Sequence, residues 1–207
     1  MRLHGQKPWM YDFDLPEDAK FLDIGAGHRP HPKATHVIDF AADIVNPQRH
    51  GHQLNIRPNI EYKFNGVPEG LKDYPDKFFD FCYSSHCIEH IVELEETIKE
   101  ISRTCKRGFF IFPASDMEFL MGKHKAGHVN MLRERGDEIL WSEKPLLATT
   151  DRMGHLWEQQ VYNHPEFYSF VEGSHKFIWE CRYYWEGAPK FRKVDIEEIY
   201  PQIKYFK

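Results

Sequence analysis

The stretch from Lys20 to Phe40 limits what this chain can fold into more than any other. It reads Lys-Phe-Leu-Asp-Ile-Gly-Ala-Gly-His-Arg-Pro-His-Pro-Lys-Ala-Thr-His-Val-Ile-Asp-Phe. Phe21 to Ile24 is a short apolar run that stops at Gly25-Ala-Gly27, and Thr35 to Ile38 is a second run that stops at Asp39. Strand, glycine turn, strand, terminal carboxylate is the order in which a doubly wound α/β sheet builds a nucleoside site at its strand ends. Gly25 and Gly27 permit a sharp turn and leave no side chain between backbone and ligand. Asp39 then falls beside the turn, able to accept two hydrogen bonds from a ribose diol. The competing reading is a tight turn between two buried strands.

Two common nucleotide signatures are excluded. A dinucleotide fingerprint needs a third glycine three residues after the second, where this chain has Pro30, and an acid about 20 residues further on. Asp39 comes only twelve residues after Gly27. A phosphate-binding loop needs Gly-Lys-Ser/Thr, which is missing after Gly27. Between Gly27 and Thr35 there is little room for a crossover helix, and Pro30 and Pro32 interrupt it, so a short, irregular crossover is expected. An anion site at a helix N-terminus therefore has weak support here.

Further along, Ile60 to Phe64 reads as a third strand ending at the turn Asn65-Gly66. Phe78 to Tyr83 reads as a fourth, followed by Ser84-Ser85-His86-Cys87-Ile88-Glu89-His90-Ile91. Ser84 or Ser85 fits a helix N-cap, with Glu89 near the capping-box position. Ile88, Ile91, Leu94, Ile98 and Ile101 repeat at helical spacing, predicting a helix from there to Cys105. Lys106-Arg107-Gly108 closes it. Phe109 to Phe112 is a fifth buried strand.

Leu22-Asp-Ile-Gly-Ala-Gly27, Asp39 and Phe79-Asp-x-x-Tyr-Ser-Ser-His-x-x-Glu-His90 stand in the order of motifs I, II and IV of a known family. The chain resembles the class I S-adenosylmethionine-dependent methyltransferases of the methyltransferase-11 type over roughly residues 20 to 115. The resemblance implies a doubly wound, mostly parallel Rossmann-like sheet with a C-terminal cap. It implies S-adenosylmethionine as cofactor, with Asp23, Gly25 and Gly27 at the methionine part, Asp39 at the ribose and Asn65 at the adenine. Ser85 and His86 would line the site beside the transferring methyl. The expected activity is methyl transfer to a small-molecule acceptor, with His86 and His128 as catalytic candidates and no metal. Domains are expected as an N-terminal arm (1–19), a cofactor-binding core (20–115) and a C-terminal cap (116–207).

Two other classes compete. One is a non-catalytic nucleoside-binding or assembly module with the same fold. The other is a metal-dependent hydrolase, because His86-x-x-Glu89-His90 also fits a zinc-peptidase pattern. That pattern here ends a parallel strand beside the glycine turn, which is the wrong setting for a peptidase. Some quinone-pathway O-methyltransferases carry a metal at a Glu-x-x-Glu-His in this position; His86 replaces the first Glu. A capping and packing pair of Glu89 and His90 is the preferred reading.

Composition narrows the rest. The 207 residues carry 27 basic and 32 acidic side chains, a formal charge of −5, with no basic block. That argues against a dedicated nucleic-acid surface without excluding an RNA substrate. No apolar run reaches membrane-spanning length, and residues 1–14 are polar and aromatic, unlike a signal peptide. Cys82, Cys87, Cys105 and Cys181 form no close pair and read as buried thiols of a cytoplasmic protein. The arm at 1–19 reads as an extended segment, either folded over the cofactor site or, the preferred reading, a solvated leader. Met117 to His128 and Asp137 to Ala148 read as helix or irregular cover, with His128 and His155 as candidate bases there. Asn163-His-Pro-Glu166 reads as a helix start. Lys176 to Trp185 and Phe191 to Val194 are expected to form an antiparallel edge pair of the main sheet, and Asp195 to Tyr200 a terminal helix. Trp141, Trp157, Phe167, Tyr168 and Trp179 are expected mostly in the core. Oligomeric state is left open.

Overall fold

The computed structural model describes residues 11–40, 55–116, 127–145, 156, 159–160, 163–169 and 179–201. His155, Trp157, most of the loop expected at 40–59 and most of the cover expected at 117–128 lie outside the described residues.

The apolar runs form one six-stranded sheet. Its members are β1 (Phe21–Ile24), β2 (His36–Ile38), β3 (Glu61–Lys63), β4 (Phe81–Ser85), β5 (Arg107–Pro113) and β8 (Glu180–Glu186), in the order β3-β2-β1-β4-β5-β8. The pairs β1 with β2, β1 with β4, β2 with β3 and β4 with β5 are all parallel. Ala114 N–H donates to the Trp179 carbonyl at 2.7 Å and Gly187 N–H to the Lys106 carbonyl at 2.8 Å, so β8 runs against β5. This is the doubly wound, mostly parallel architecture expected, and its strand order reverses between β1 and β4.

The chain divides into two compact units, residues 1–111 with 183–189, and residues 112–182 with 190–207. In the first, register sets Phe21, Asp23, Val37, Phe81, Tyr83, Phe109 and Ile111 on one sheet face. Tyr11 and Phe13 cover that face, 1% and 3% exposed, in one cluster with Phe21, Phe81, Tyr83 and Phe109. Phe13 lies 4.5 Å from the Phe81 ring and 5.6 Å from Phe109, ring centre to ring centre. The described end of the N-terminal arm is thus core, not solvated leader. A buried Phe contributes about 1.5–3 kcal/mol, which offsets part of the cost of ordering the segment.

The β1–β2 crossover contains no helix and is pinned to that arm. His31 stacks on Phe21 at 4.7 Å, accepts the Lys33 N–H at Nδ1 and donates from Nε2 to the Tyr11 carbonyl. Lys33 Nζ donates to the Phe13 carbonyl at 2.6 Å.

The helix read from Ser84 onward starts later. Ser85 is still strand, paired with Ile111; Ile88–His90 is a 3₁₀ turn; the α-helix α1 is Leu94–Thr104. Glu93 is its N-cap, without a side-chain capping bond, so neither Ser84 nor Ser85 caps it.

The second unit holds a three-stranded sheet, β6 (Asn130–Arg135), β7 (Glu138–Glu143) and β9 (Phe191–Lys193), ordered β6-β7-β9. β6 and β7 are an antiparallel hairpin around Gly136, at φ +66°, and β7 lies where Asp137 to Ala148 was expected as helix or irregular cover. β9 pairs in parallel with β7, not with β8, so the expected edge pair does not form. The helices α2 (Pro165–Ser169) and α3 (Ile196–Ile199) lie where the proline start and the terminal helix were read. Trp141 is buried at 5% exposure.

Candidate functional site

The carboxyl ends of β1, β2 and β4 meet at the reversal of strand order, and the turn after each carries a chemically distinctive residue. After β1, Gly25 and Gly27 both take positive φ, +71° and +54°. Gly25 N–H donates to the Ile38 carbonyl at 2.8 Å, folding the turn over the end of β2. A Cβ on Gly25 would stand 2.3 Å from Cys87 Sγ and 2.5 Å from Cys87 Cβ. The glycine is therefore required first by the turn after β4. The sequence gives no sign of that contact, because it joins residues from two distant turns.

Asp39, half-buried after β2, closes on the glycine turn. Its Oδ2 accepts the Gly27 N–H at 2.8 Å and its Oδ1 accepts the Phe40 N–H at 2.7 Å. Each oxygen keeps a second lone pair, which is the acceptor set that a vicinal diol's two hydroxyls need. Phe40 is exposed at 77%. Asp39 is tied in turn to β3: its N–H donates to the Lys63 carbonyl, and Gly66 N–H donates to its own carbonyl. Asn65 is exposed in that turn, and its Oδ1 lies against Gly70.

Asp23 is 2% exposed on the aromatic face of β1, accepting the His31 N–H at 2.7 Å. Burial drives its pKa up to about 7; the His31 hydrogen bond opposes this and the Asp39 carboxylate adds to it. Burial also pushes His31 down to about 4, so it is neutral near pH 7.

After β4, His86 N–H donates to the Ile111 carbonyl at 2.9 Å, extending the ladder one residue past Ser85, and the backbone then turns into the left-handed region at φ +52°. Nδ1 of His86 lies 3.5 Å from Oε1 of Glu89, which is fully buried while His86 keeps 35% of its side chain exposed. Cys87 is raised well above an ordinary thiol, first by burial and then by the Glu89, Asp39 and Asp23 carboxylates. His128 stands two residues before β6, half-buried, within the second unit.

Sequence reasoning thus found Gly25, Gly27, Asp39, Ser85 and His86 near one rim of one sheet. It read Glu89 as a capping and packing residue and did not see the Cys87 contact with Gly25.

Residues 22–112 match the family model described as methyltransferase domain. That stretch, under half of the chain, is similar to a methyltransferase domain. The cofactor of such a domain is S-adenosylmethionine, and the turn after β1 with Asp39 beside it fits that cofactor's ribose. No curated protein matches the chain. Among solved structures it is similar to the YcgJ protein of Bacillus subtilis, at 17% identity and TM-score 0.38, covering 53% of this chain and 55% of that one. It is similar to a SAM-dependent methyltransferase of Aquifex aeolicus, at 17% identity and TM-score 0.32, covering 47% and 57%. The S-adenosylmethionine-dependent methyltransferase of Mesorhizobium loti matches at 15% identity and TM-score 0.38, covering 62% and 59%. The chain spans less than two thirds of each of these proteins. Among the described residues, no helix is long and apolar enough to cross a membrane.

Proposed function

We propose that the chain transfers the methyl group of S-adenosylmethionine to a small-molecule acceptor. The observation that carries this reading is the clasp between Gly27 N–H and Asp39 Oδ2 at the reversal of strand order. When bound, the cofactor supplies an electrophilic methyl on a sulfonium. The protein's part is then to hold, orient and desolvate the two reactants. Asp39 holds the ribose hydroxyls, and Gly25 and Gly27 let the backbone approach the methionine portion. Asp23 sits beneath the turn and fixes the crossover through His31. Asn65 is the adenine candidate, and Ser85 with His86 borders the place of transfer. His128 is the other candidate base read from the sequence.

Calorimetry with S-adenosylmethionine and S-adenosylhomocysteine tests this without knowing the acceptor. Micromolar binding of both, with one site per chain, is expected. No heat with either would end the methyltransferase reading and favour a scaffold that has lost its ligand.

A further inference from the structure

We propose that His86 and Glu89 form a base pair of side chains that takes the proton from a hydroxyl acceptor, so that the enzyme methylates oxygen. This rests on the methyl-transfer reading and names its acceptor class.

Three observations converge on the dyad. The first is placement: β4 delivers His86 to the sheet rim, and its N–H is still tied to the Ile111 carbonyl. The second is backbone conformation. A histidine at φ +52° is uncommon, and such a residue persists only where its surroundings hold it there. The third is the carboxylate behind the ring. Glu89 is fully buried, and burying a carboxylate is expensive unless positive or donor groups face it. His86 Nδ1 faces it at 3.5 Å, an ion-pair distance, and catalytic hydrogen bonds are often this long in ligand-free enzymes.

A carboxylate at Nδ1 selects the tautomer with the proton on Nδ1, which makes Nε2 the basic nitrogen. Other groups of this rim serve less well as the base. The Cys87 thiol is held protonated, Ser84 is fully buried, and Asp39 is engaged with two backbone amides. Asp23 is 2% exposed and bound to the crossover.

The dyad selects among acceptors because nucleophiles differ in when they lose their proton. A neutral amine attacks with its lone pair and sheds the proton afterwards, whereas a hydroxyl is a poor nucleophile until its proton is leaving. In the step proposed, Nε2 takes the O–H proton as the oxygen's electron pair forms the O–CH₃ bond. The S–CH₃ bond breaks with its electron pair returning to sulfur as a thioether, and the proton passes from His86 to water. Glu89 is a positioning residue: it sets the tautomer and steadies the imidazolium.

The dyad is read directly from ¹⁵N spectra of the imidazole nitrogens in the full chain, with His86 assigned by its loss in His86→Gln. At pH 8 the expected signature is a protonated Nδ1 and a bare Nε2. Glu89→Leu should move the proton toward Nε2, while Glu89→Gln, which keeps an acceptor oxygen, should leave it on Nδ1. A wild-type His86 protonated at Nε2 overturns the dyad. Calorimetry with S-adenosylmethionine on the same samples separates the failures, since loss of binding in the wild type strikes the cofactor reading and leaves the tautomer result standing. For the acceptor class the probes are catechol and aniline. O-methylation of catechol is expected, with kcat falling about 10²–10⁴-fold in His86→Gln. Product from aniline alone, or from neither, overturns the hydroxyl assignment. EDTA should leave catechol methylation unchanged; a loss restored by magnesium or zinc would replace the dyad with a metal.

Discussion

Asp39 serves two parts of the molecule with one carboxylate. Its oxygens each accept one backbone N–H, from Gly27 and Phe40, and so fix the turn before any ligand arrives. Hydrogen bonds to a charged acceptor contribute about 1.5–3 kcal/mol each. Asp39→Ala should weaken S-adenosylmethionine binding by about tenfold or more, read by calorimetry, and an unchanged dissociation constant in a folded variant would remove Asp39 from the site. Gly25 makes a different demand. Alanine there would place a methyl 2.3 Å from Cys87 Sγ on a backbone at φ +71°. Overpacking and left-handed strain each cost about 1–3 kcal/mol, so Gly25→Ala should lower stability by at least about 2 kcal/mol without ligand. Urea unfolding midpoints check this. Adding Cys87→Gly should recover the overpacking part only, because Cys87→Ala would keep a Cβ still in collision. A Gly25→Ala midpoint equal to wild type would show the turn to be more pliant than its contacts imply.

The crossover between β1 and β2 couples two buried groups with opposite pH behaviour. His31 has a folded pKa of about 4 against 6.5 unfolded, so its contribution is whole above pH 6.5 and is lost as pH falls toward 4. Asp23 has a folded pKa of about 7 against 3.8, so its contribution is whole below 3.8 and is lost as pH rises toward 7. Over the shared window the two slopes oppose each other. Asp23→Asn keeps the acceptor for the His31 N–H and removes one slope, so its stability should climb by about 3 kcal/mol between pH 4 and 6.5, while the wild type changes less. Urea midpoints across that range decide it; parallel curves would mean that Asp23 does not titrate as a raised, buried carboxyl, and a flat variant curve that His31 does not titrate as a buried neutral ring. These elements also show what a sequence can disclose. Strand ends and glycine turns were legible because both are local patterns of apolar runs and breakers. The early start assigned to α1 was not, because Ile88, Ile91 and Leu94 are all buried, at 0%, 8% and 0%, while a 3₁₀ turn and an extended Ile91 carry the first two. Burial had the helical period there; the hydrogen bonds did not. The β6–β7 hairpin did leave a signal, Gly136-Asp137 between two runs, which is a two-residue turn signature. Glu89 left none, since a carboxylate at a turn reads as surface until its burial is seen.

At the scale of the molecule, the unit that holds the segment similar to methyltransferases includes a later part of the chain. Residues 183–189 return to the first unit, where Trp185 packs 5.6 Å from the Phe110 ring, centre to centre. A Cβ on Gly108 would lie 2.6 Å from that indole, so β5 is shaped to receive it. A chain cut after residue 116 would expose the edge of β5, whose residues 108–113 are all buried in the whole protein. Unpaired, apolar strand edges associate. Residues 1–116 should therefore elute as aggregate in size-exclusion chromatography and lack a cooperative melt, and a stable monomer would show that β8 is dispensable. The backbone passes between the units at 111/112, 182/183 and 189/190. On the ribosome this means that the first unit emerges incomplete and waits, with one open flank, until Pro189 has been added some 78 residues after Ile111. At 5–20 residues per second that is a wait of roughly 4–16 s, long enough for a chaperone to find the open flank before Trp185 does.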